Sequence, residues 1–257
     1  MIEKIKIEDL LNLLRQAGKA ILEIYQHDFK VELKSDFTPV TLADRNSNDI
    51  LVQGLYTSFS DIPIITEEND QVPYEQRKDW PYFWLVDPLD GTKEFIKRNG
   101  EFAINLALIE GIKPVLGIIY IPVMDISYYG IKGQGCFKVT GNQDPAVLKP
   151  GTQNTKDKVI VVGSRSHLSP EVYSFVKKLR QEFMEVELIQ MGSAIKFGMI
   201  ADGKADFYLR TGRTMEWDTA AGQAIVTECG KQVYDYTTGR PLEYNKQSLV
   251  NPWFIVK

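Results

Sequence analysis

Between Trp84 and Glu94 the chain reads Trp-Leu-Val-Asp-Pro-Leu-Asp-Gly-Thr-Lys-Glu, an apolar run followed by two carboxylates and a Gly-Thr turn that opens a helix. The run has strand character and so fixes where Asp87 and Asp90 point. Pro88 stiffens the connection between them, and the backbone N–H groups of Gly91 and Thr92 stand at a helix start, where an anion is favoured. Such a segment can hold metal and phosphate together. Three further acids, Asp44, Glu67 and Asp218, stand where strands or turns meet helices, the positions from which loops present functional groups. If Glu67, Asp87, Asp90 and Asp218 converge, each ionised pair repels by about 4 kcal/mol at ~4 Å and an effective dielectric of ~20. Protons or bound cations must relieve that. Oxygen ligands without His or Cys select hard ions, and Mg²⁺ is held by a few carboxylates while it keeps water and a substrate phosphate in its shell. Two such ions would polarise a phosphate ester, stabilise its leaving oxygen and lower the pKa of a water nucleophile. The implied chemistry is hydrolysis of a phosphomonoester. A single Asp at a turn is more often a helix cap or a solvated charge, and Asp218, before a helix of small residues, can be read that way. The string Asp-Pro-Leu-Asp-Gly-Thr is what favours the metal reading.

The elements that must position these groups follow from periodicity. Apolar residues at Ile7, Leu10, Leu11, Leu14, Ala17, Ile21, Ile24 and Tyr25 trace one face of a long first helix, running to about Gln26. Residues 30–34 alternate like a strand, and a turn at 35–39 leads through Val40 to Asp44 into a second helix ending near Phe59. A short buried strand at 62–65 ends at Glu67, residues 69–78 read as a mobile loop, and a strand follows at 82–86. Runs at 102–109, 115–121, 125–131 and 135–139 suggest an antiparallel meander. After a polar stretch at 141–157 the pattern changes to strand 159–162, helix 170–183, strand 186–190, helix 193–202, strand 205–209 and helix 217–228. This α/β rhythm predicts a second lobe: residues 1–150 form an α+β lobe with most metal ligands, and 151–257 an α/β lobe with the last ligand and the substrate contacts.

The chain has 257 residues, 44% hydrophobic and 25% charged, with a net charge of −4 and a pI near 5.4. This is an ordinary globular composition whose field does not gather nucleic acid or anionic membrane. The first residues lack the apolar core of a leader, and no apolar run approaches the roughly eighteen residues of a membrane span. A cytoplasmic location is expected. Cys136 and Cys229 lie far apart with no CxxC or His-rich context, which argues against zinc or a disulfide framework and suits a reducing compartment, and both are expected to be buried small apolar residues.

Thr66-Glu-Glu68, Asp87 to Thr92 and Trp217-Asp-Thr-Ala-Ala-Gly222, in this order, with Pro39-Val-Thr-Leu-Ala-Asp44 as a fourth match, resemble the lithium-sensitive, magnesium-dependent phosphatases of the inositol monophosphatase superfamily. The resemblance runs from the first helix nearly to the C-terminus. It implies a layered αβαβα sandwich of the inositol monophosphatase and fructose bisphosphatase type, an α+β fold with a mixed N-terminal sheet and a smaller C-terminal lobe. It makes Glu67, Asp87, Asp90 and Asp218 metal ligands together with the backbone carbonyl of Leu89, holding two or three Mg²⁺ ions. Glu67 then also serves catalysis, and Thr92, backed by Asp44, orients the water. Gly91 and Thr92 present N–H groups to the phosphate, while Glu68 supports the metal site without ligating.

Within the superfamily Lys93-Glu-Phe95, Thr214-Met-Glu-Trp-Asp218, Gly163-Ser-Arg-Ser-His167 and Gly192-Ser-Ala-Ile-Lys196 are similar to the CysQ-type 3'(2'),5'-bisphosphate nucleotidases. A nucleoside bisphosphate brings a second phosphate beyond the metals' reach, so its site needs a distant cation or helix start and a surface for adenine. Lys196 and Arg165 are the candidates for that charge, with Ser193, His167 and Glu216 as further substrate contacts. A lone Lys on a helix is otherwise a solvated one, and His167 reads equally as a surface hydrogen-bonder. His27 caps a helix end or meets solvent, and Lys93 and Arg213 can pair with Glu94 and Glu216. The implied reaction removes the 3'-phosphate of 3'-phosphoadenosine 5'-phosphate to give AMP, with 3'-phosphoadenylyl sulfate as a second substrate. An inositol or broad sugar monophosphatase with the same metals is the rival, and a non-catalytic metal or nucleotide sensor a more distant one. A monomer or homodimer is expected, and peripheral membrane contact stays open.

Overall fold

A computed structural model describes residues 2–33, 39–149, 157–166 and 168–257. The turn at 35–38 and His167 lie outside them. Helix α1 (Ile7–Tyr25) buries Leu10, Leu11, Leu14, Ala17 and Ile21 on one face. A small antiparallel pair, β1 (Val31–Leu33) and β2 (Pro39–Thr41), runs directly into α2 (Leu42–Ser58).

A seven-stranded sheet follows, in spatial order β3 (Ile64–Thr66), β4 (Tyr82–Asp90), β5 (Ala103–Glu110), β6 (Lys113–Ile121), β7 (Ile126–Ile131), β8 (Gly135–Thr140) and β9 (Ala146–Leu148). β3 pairs parallel with β4, and every later neighbour is antiparallel, as the meander pattern predicts. Both faces are covered, so the strands read as continuous apolar runs. Phe83, Leu85, Ala103, Ala107 and Ile109 enter one core. Trp84, Val86, Ile104, Leu106 and Leu108 enter the other, against α1 and α2. Three features depart from the pattern. A short helix, α3 (Tyr74–Arg77), interrupts the stretch read as loop, with Arg77 buried. β4 continues to Asp90 instead of ending at residue 86, and a five-residue helix, α4 (Thr92–Ile96), starts just after it. β9 forms in the polar stretch, where its short, half-exposed run leaves no period to read.

The second sheet is ordered β11 (Glu185–Met191), β10 (Lys158–Ser164), β12 (Phe207–Arg210), β14 (Phe254–Val256), β13 (Val233–Asp235). β10 pairs parallel with both β11 and β12, matching the α/β rhythm, while the three-residue β13 and β14 complete it antiparallel. Helix α5 (Pro170–Leu179) closes the outer face through Val176 and Leu179. Between the sheets lie α6 (Ile195–Ala201) and α7 (Glu216–Glu228), in a core that includes Phe83 and Ile119 of the first sheet and Val162, Tyr208 and Phe254 of the second. The layers are therefore α1 and α2, the large sheet, α6 and α7, the small sheet, and α5. This is the αβαβα sandwich.

Helix α7 lies unusually close to the first sheet because small residues meet on both sides. A Cβ on Gly117 would stand 2.3 Å from the Ala221 carbonyl oxygen, and one on Gly130 would stand 2.7 Å from the Ile225 Cα. The same close packing carries the far end of α7 to β8, where Cys136 and Cys229 form a disulfide across 93 residues of sequence. Both cysteines are buried, as expected, but this pairing corrects the expectation that they form no disulfide: distance along the chain gave no hint that α7 lands on β8. The reducing-compartment reading loses the support it drew from unpaired cysteines. Among the described residues, no helix is long and apolar enough to cross a membrane.

Candidate active site

The carboxyl end of β4 builds the carboxylate-bearing wall of the site. The ladder with β5 shifts register between Asp87 and Asp90, where Pro88 supplies no ladder donor. The Ser47 hydroxyl donates to the Pro88 carbonyl at 2.7 Å, and the Leu89 N–H donates to Asp87 Oδ1 at 3.1 Å. Gly91 then adopts a φ of 96°, a left-handed conformation that turns the chain straight into α4. Thr92 is thereby aimed back at α2, and its hydroxyl donates to Asp44 Oδ1 at 3.0 Å. The other oxygen of Asp44 accepts from the Thr41 N–H and hydroxyl, each at 2.7 Å, in a capping box that opens α2.

Carboxylate oxygens of Glu67, Asp87 and Asp218 lie within 4.8 Å of one another. Glu67 follows β3, Asp87 lies in β4, and Asp218 stands in the first turn of α7, where its Oδ2 accepts from the Met215 N–H at 2.8 Å. Asp90 faces the same cavity. Its Oδ2 accepts from the Ala194 N–H and, at 3.4 Å, from Asn105 Nδ2, so its second oxygen is left for a ligand. Burial first, and then the charges of Glu67, Asp90 and Asp218, push the Asp87 carboxyl well above the usual range. Asp218 is raised to about 8 by burial and by Asp90 and Glu67. Asp90 is raised to about 6 by burial, with Lys196 opposing the shift. Asp44 is also raised by burial. A cluster of carboxylate oxygens, with Asp87 buried and Glu67 and Asp218 half-buried, fits a hard divalent cation, which would take the place of the protons that the crowding favours.

The opposite wall comes from the carboxyl ends of the parallel strands, where open α/β sheets present ligand groups. Ser164 ends β10, Ser193 follows β11 and Arg210 ends β12, and all three line the cavity with Lys196. Lys196 is buried over the Tyr208 ring, its Nζ donating to the Met191 and Ser193 carbonyls. Burial pulls its pKa down to about 8 against the pull of Asp90. The Arg210 Nε is buried with no hydrogen-bond partner among the described residues. Sequence reasoning passed over Arg210, although a single Arg closing the apolar run Phe-Tyr-Leu of a parallel strand was a signal that could have found it.

Two expected substrate contacts stand elsewhere. Arg165 is drawn into a bidentate pair with Glu101 and does not line the cavity. Glu216 is fully buried and accepts from the Asn245 and Lys246 N–H groups, at 2.7 and 3.0 Å, and from Lys246 Nζ at 2.6 Å. Its charge is consumed at the start of α7. Gly91, Thr92, Ser193 and Lys196 do line the cavity.

A family profile described as the inositol monophosphatase family matches residues 6–253. The chain is 41% identical over 253 residues to the 3'(2'),5'-bisphosphate nucleotidase CysQ of Salmonella typhimurium, a match spanning 97% of this chain and 98% of that protein. Identity to the protein of the same name in Escherichia coli is 40% over the same spans. The crystal structure of CysQ from Bacteroides thetaiotaomicron superimposes with a TM-score of 0.86 at 40% identity, covering 99% of this chain and 98% of that one. With its five layers and its carboxylate cluster at the end of β4, the chain belongs to the inositol monophosphatase family.

Proposed function

We propose that this protein is a magnesium-dependent phosphoric monoester hydrolase, a 3'(2'),5'-bisphosphate nucleotidase that converts 3'-phosphoadenosine 5'-phosphate to AMP and phosphate and also accepts 3'-phosphoadenylyl sulfate. The observation that carries the reading is one cavity with clustered carboxylates on one wall and Lys196 and Arg210 on the other. That is the charge layout for a substrate with one phosphate at a metal centre and a second beyond it. Kinship at 41% identity over nearly the whole chain supports the same conclusion.

Glu67, Asp87, Asp90, Asp218 and the Leu89 carbonyl would hold the ions. Mg²⁺, when bound there, supplies Lewis-acid polarisation of the ester and acidifies a water. Thr92 gives its own hydroxyl proton to Asp44, so its oxygen is free to accept from an attacking water and orient it. Asp44, with a proton affinity raised by burial, can receive the proton passed along that hydrogen bond. The Gly91 and Thr92 N–H groups face the scissile phosphate. Lys196, Arg210 and the Ser193 hydroxyl bind the 5'-phosphate, which the sulfated analogue shares. A cytoplasmic monomer or homodimer completes the proposal.

Arg210→Ala separates this from a simple monophosphatase. Loss of a charged hydrogen bond should raise KM for 3'-phosphoadenosine 5'-phosphate by roughly ten- to a hundredfold, with a much smaller effect on adenosine 3'-monophosphate. Equal effects on both would favour an inositol or sugar monophosphatase.

A further inference from the structure

The turn at 192–194 carries Ser193 and leads into α6 with Lys196, so its position sets where the second phosphate can sit. Its backbone is not one it would adopt unaided. Ser193 has a φ of 46°, in the left-handed region that is disfavoured for a residue with a Cβ. Two carboxylates from the other side of the cleft hold it there. Asp90 accepts from the Ala194 N–H, and Glu101 Oε2 accepts from the Gly192 N–H at 2.8 Å. The approach is tight: a Cβ on Gly192 would lie 2.7 Å from the Glu101 carbonyl oxygen and 2.7 Å from Glu94 Cγ.

Glu101 is in turn fixed by Arg165. The guanidinium donates from Nε to Oε2 and from Nη2 to Oε1, each at 2.6 Å, and Nη2 also donates to the Gln190 carbonyl at 3.0 Å. One side chain thus joins Glu101, two residues before β5, to Gln190 near the end of β11, two residues before Gly192. Ordinary surface ion pairs matter little, but this one is bidentate, its carboxylate is only 14% exposed, and it shares that carboxylate with a backbone N–H. The neighbouring Ser166 hydroxyl donates to Glu94 Oε1 at 2.6 Å, a second stitch along the same seam.

We propose that Glu101 and Arg165 form a latch that holds the 192–196 turn at the separation from the Asp87 to Thr92 segment which a 3',5'-bisphosphate spans, making them positioning residues for bisphosphate preference. The inference rests on the nucleotide reading above. The two phosphates of such a substrate are set apart by one ribose, so a displacement of about 1 Å in the turn spoils their simultaneous engagement. A monophosphate held only at the metals does not feel it.

Arg165→Ala and Glu101→Gln test this in the full-length protein. kcat and KM are measured for 3'-phosphoadenosine 5'-phosphate and adenosine 3'-monophosphate, and the Kd of AMP is measured by calorimetry. The ratio of kcat/KM between the two substrates should fall about tenfold in each variant, through KM more than kcat, with a matching loss in AMP affinity. Arg165→Lys should not restore it, because an ammonium cannot make the two parallel bonds. Equal losses on both substrates would reveal a merely structural pair and overturn the latch. A wild-type preference that survives Arg165→Ala overturns the latch alone, whereas a wild-type enzyme without any preference overturns the nucleotide reading and the latch with it.

Discussion

Asp218 shows the conflict on which the site is built. Its carboxyl titrates near 8 where 3.8 is ordinary, and Asp90 near 6, so the folded chain without cations keeps protons that the unfolded chain has released. The unfolded state then binds fewer protons, and stability falls as pH rises. The stability tied to these protons is complete below about pH 4 and lost through the two raised values. In a chelator, the thermal midpoint should therefore drop between pH 6 and 8, and Mg²⁺ should recover more at pH 8 than at pH 6. Asp218→Asn removes one of the repelling charges. It should flatten that pH dependence and lower kcat by about a hundredfold or more, and a variant with normal turnover would refute the role. The acids and Thr92 were legible because each sits in a short motif whose chemistry is local. Arg165 and Glu216 were not, since their partners Glu101 and Asn245 lie 64 and 29 residues away, and pairing at that distance leaves no mark in a motif.

Elements bring these side chains together through close backbone packing. Asp218 reaches Glu67 and Asp87 only because α7 lies almost in contact with β6 and β7, where Gly117 and Gly130 face Ala221, Ala224 and Ile225. Gly117→Val would force the helix off the sheet. Overpacking of this sort costs about 1–3 kcal/mol, and it should lower the thermal midpoint by several degrees while raising the Mg²⁺ concentration needed for half-maximal rate. An unchanged metal requirement would mean that helix height does not set the cluster. The Cys136–Cys229 disulfide holds the other end of α7 to β8. Closing so long a loop typically adds about 2–4 kcal/mol, so a reductant should lower the midpoint in the wild type and have no effect in Cys229→Ser. Long periodic elements such as α1, and the meander strands, could be read from the sequence. The three-residue β13 and β14, and α3 with its buried Arg77, could not, because they are held by distant partners such as Asn245 rather than by their own pattern.

Across the whole molecule, the two sheets meet through one continuous core, and the cavity opens where their strand ends face each other. One side contributes Asp87, Asp90 and Thr92, the other Ser193, Lys196 and Arg210, with Asp218 projecting from the helix layer between them. Neither side is a complete site without the other, so the layered arrangement is itself part of the chemistry. The proposed nucleotidase activity turns on the charge of that far wall, from Lys196 and Arg210. The most direct test is phosphate release, in the presence of Mg²⁺, from 3'-phosphoadenosine 5'-phosphate and from inositol 1-phosphate under the same conditions. For a nucleotidase whose second phosphate is held by charged hydrogen bonds, kcat/KM should be at least about a hundredfold higher for the nucleotide. Equal rates, or a preference for the inositol ester, would contradict it.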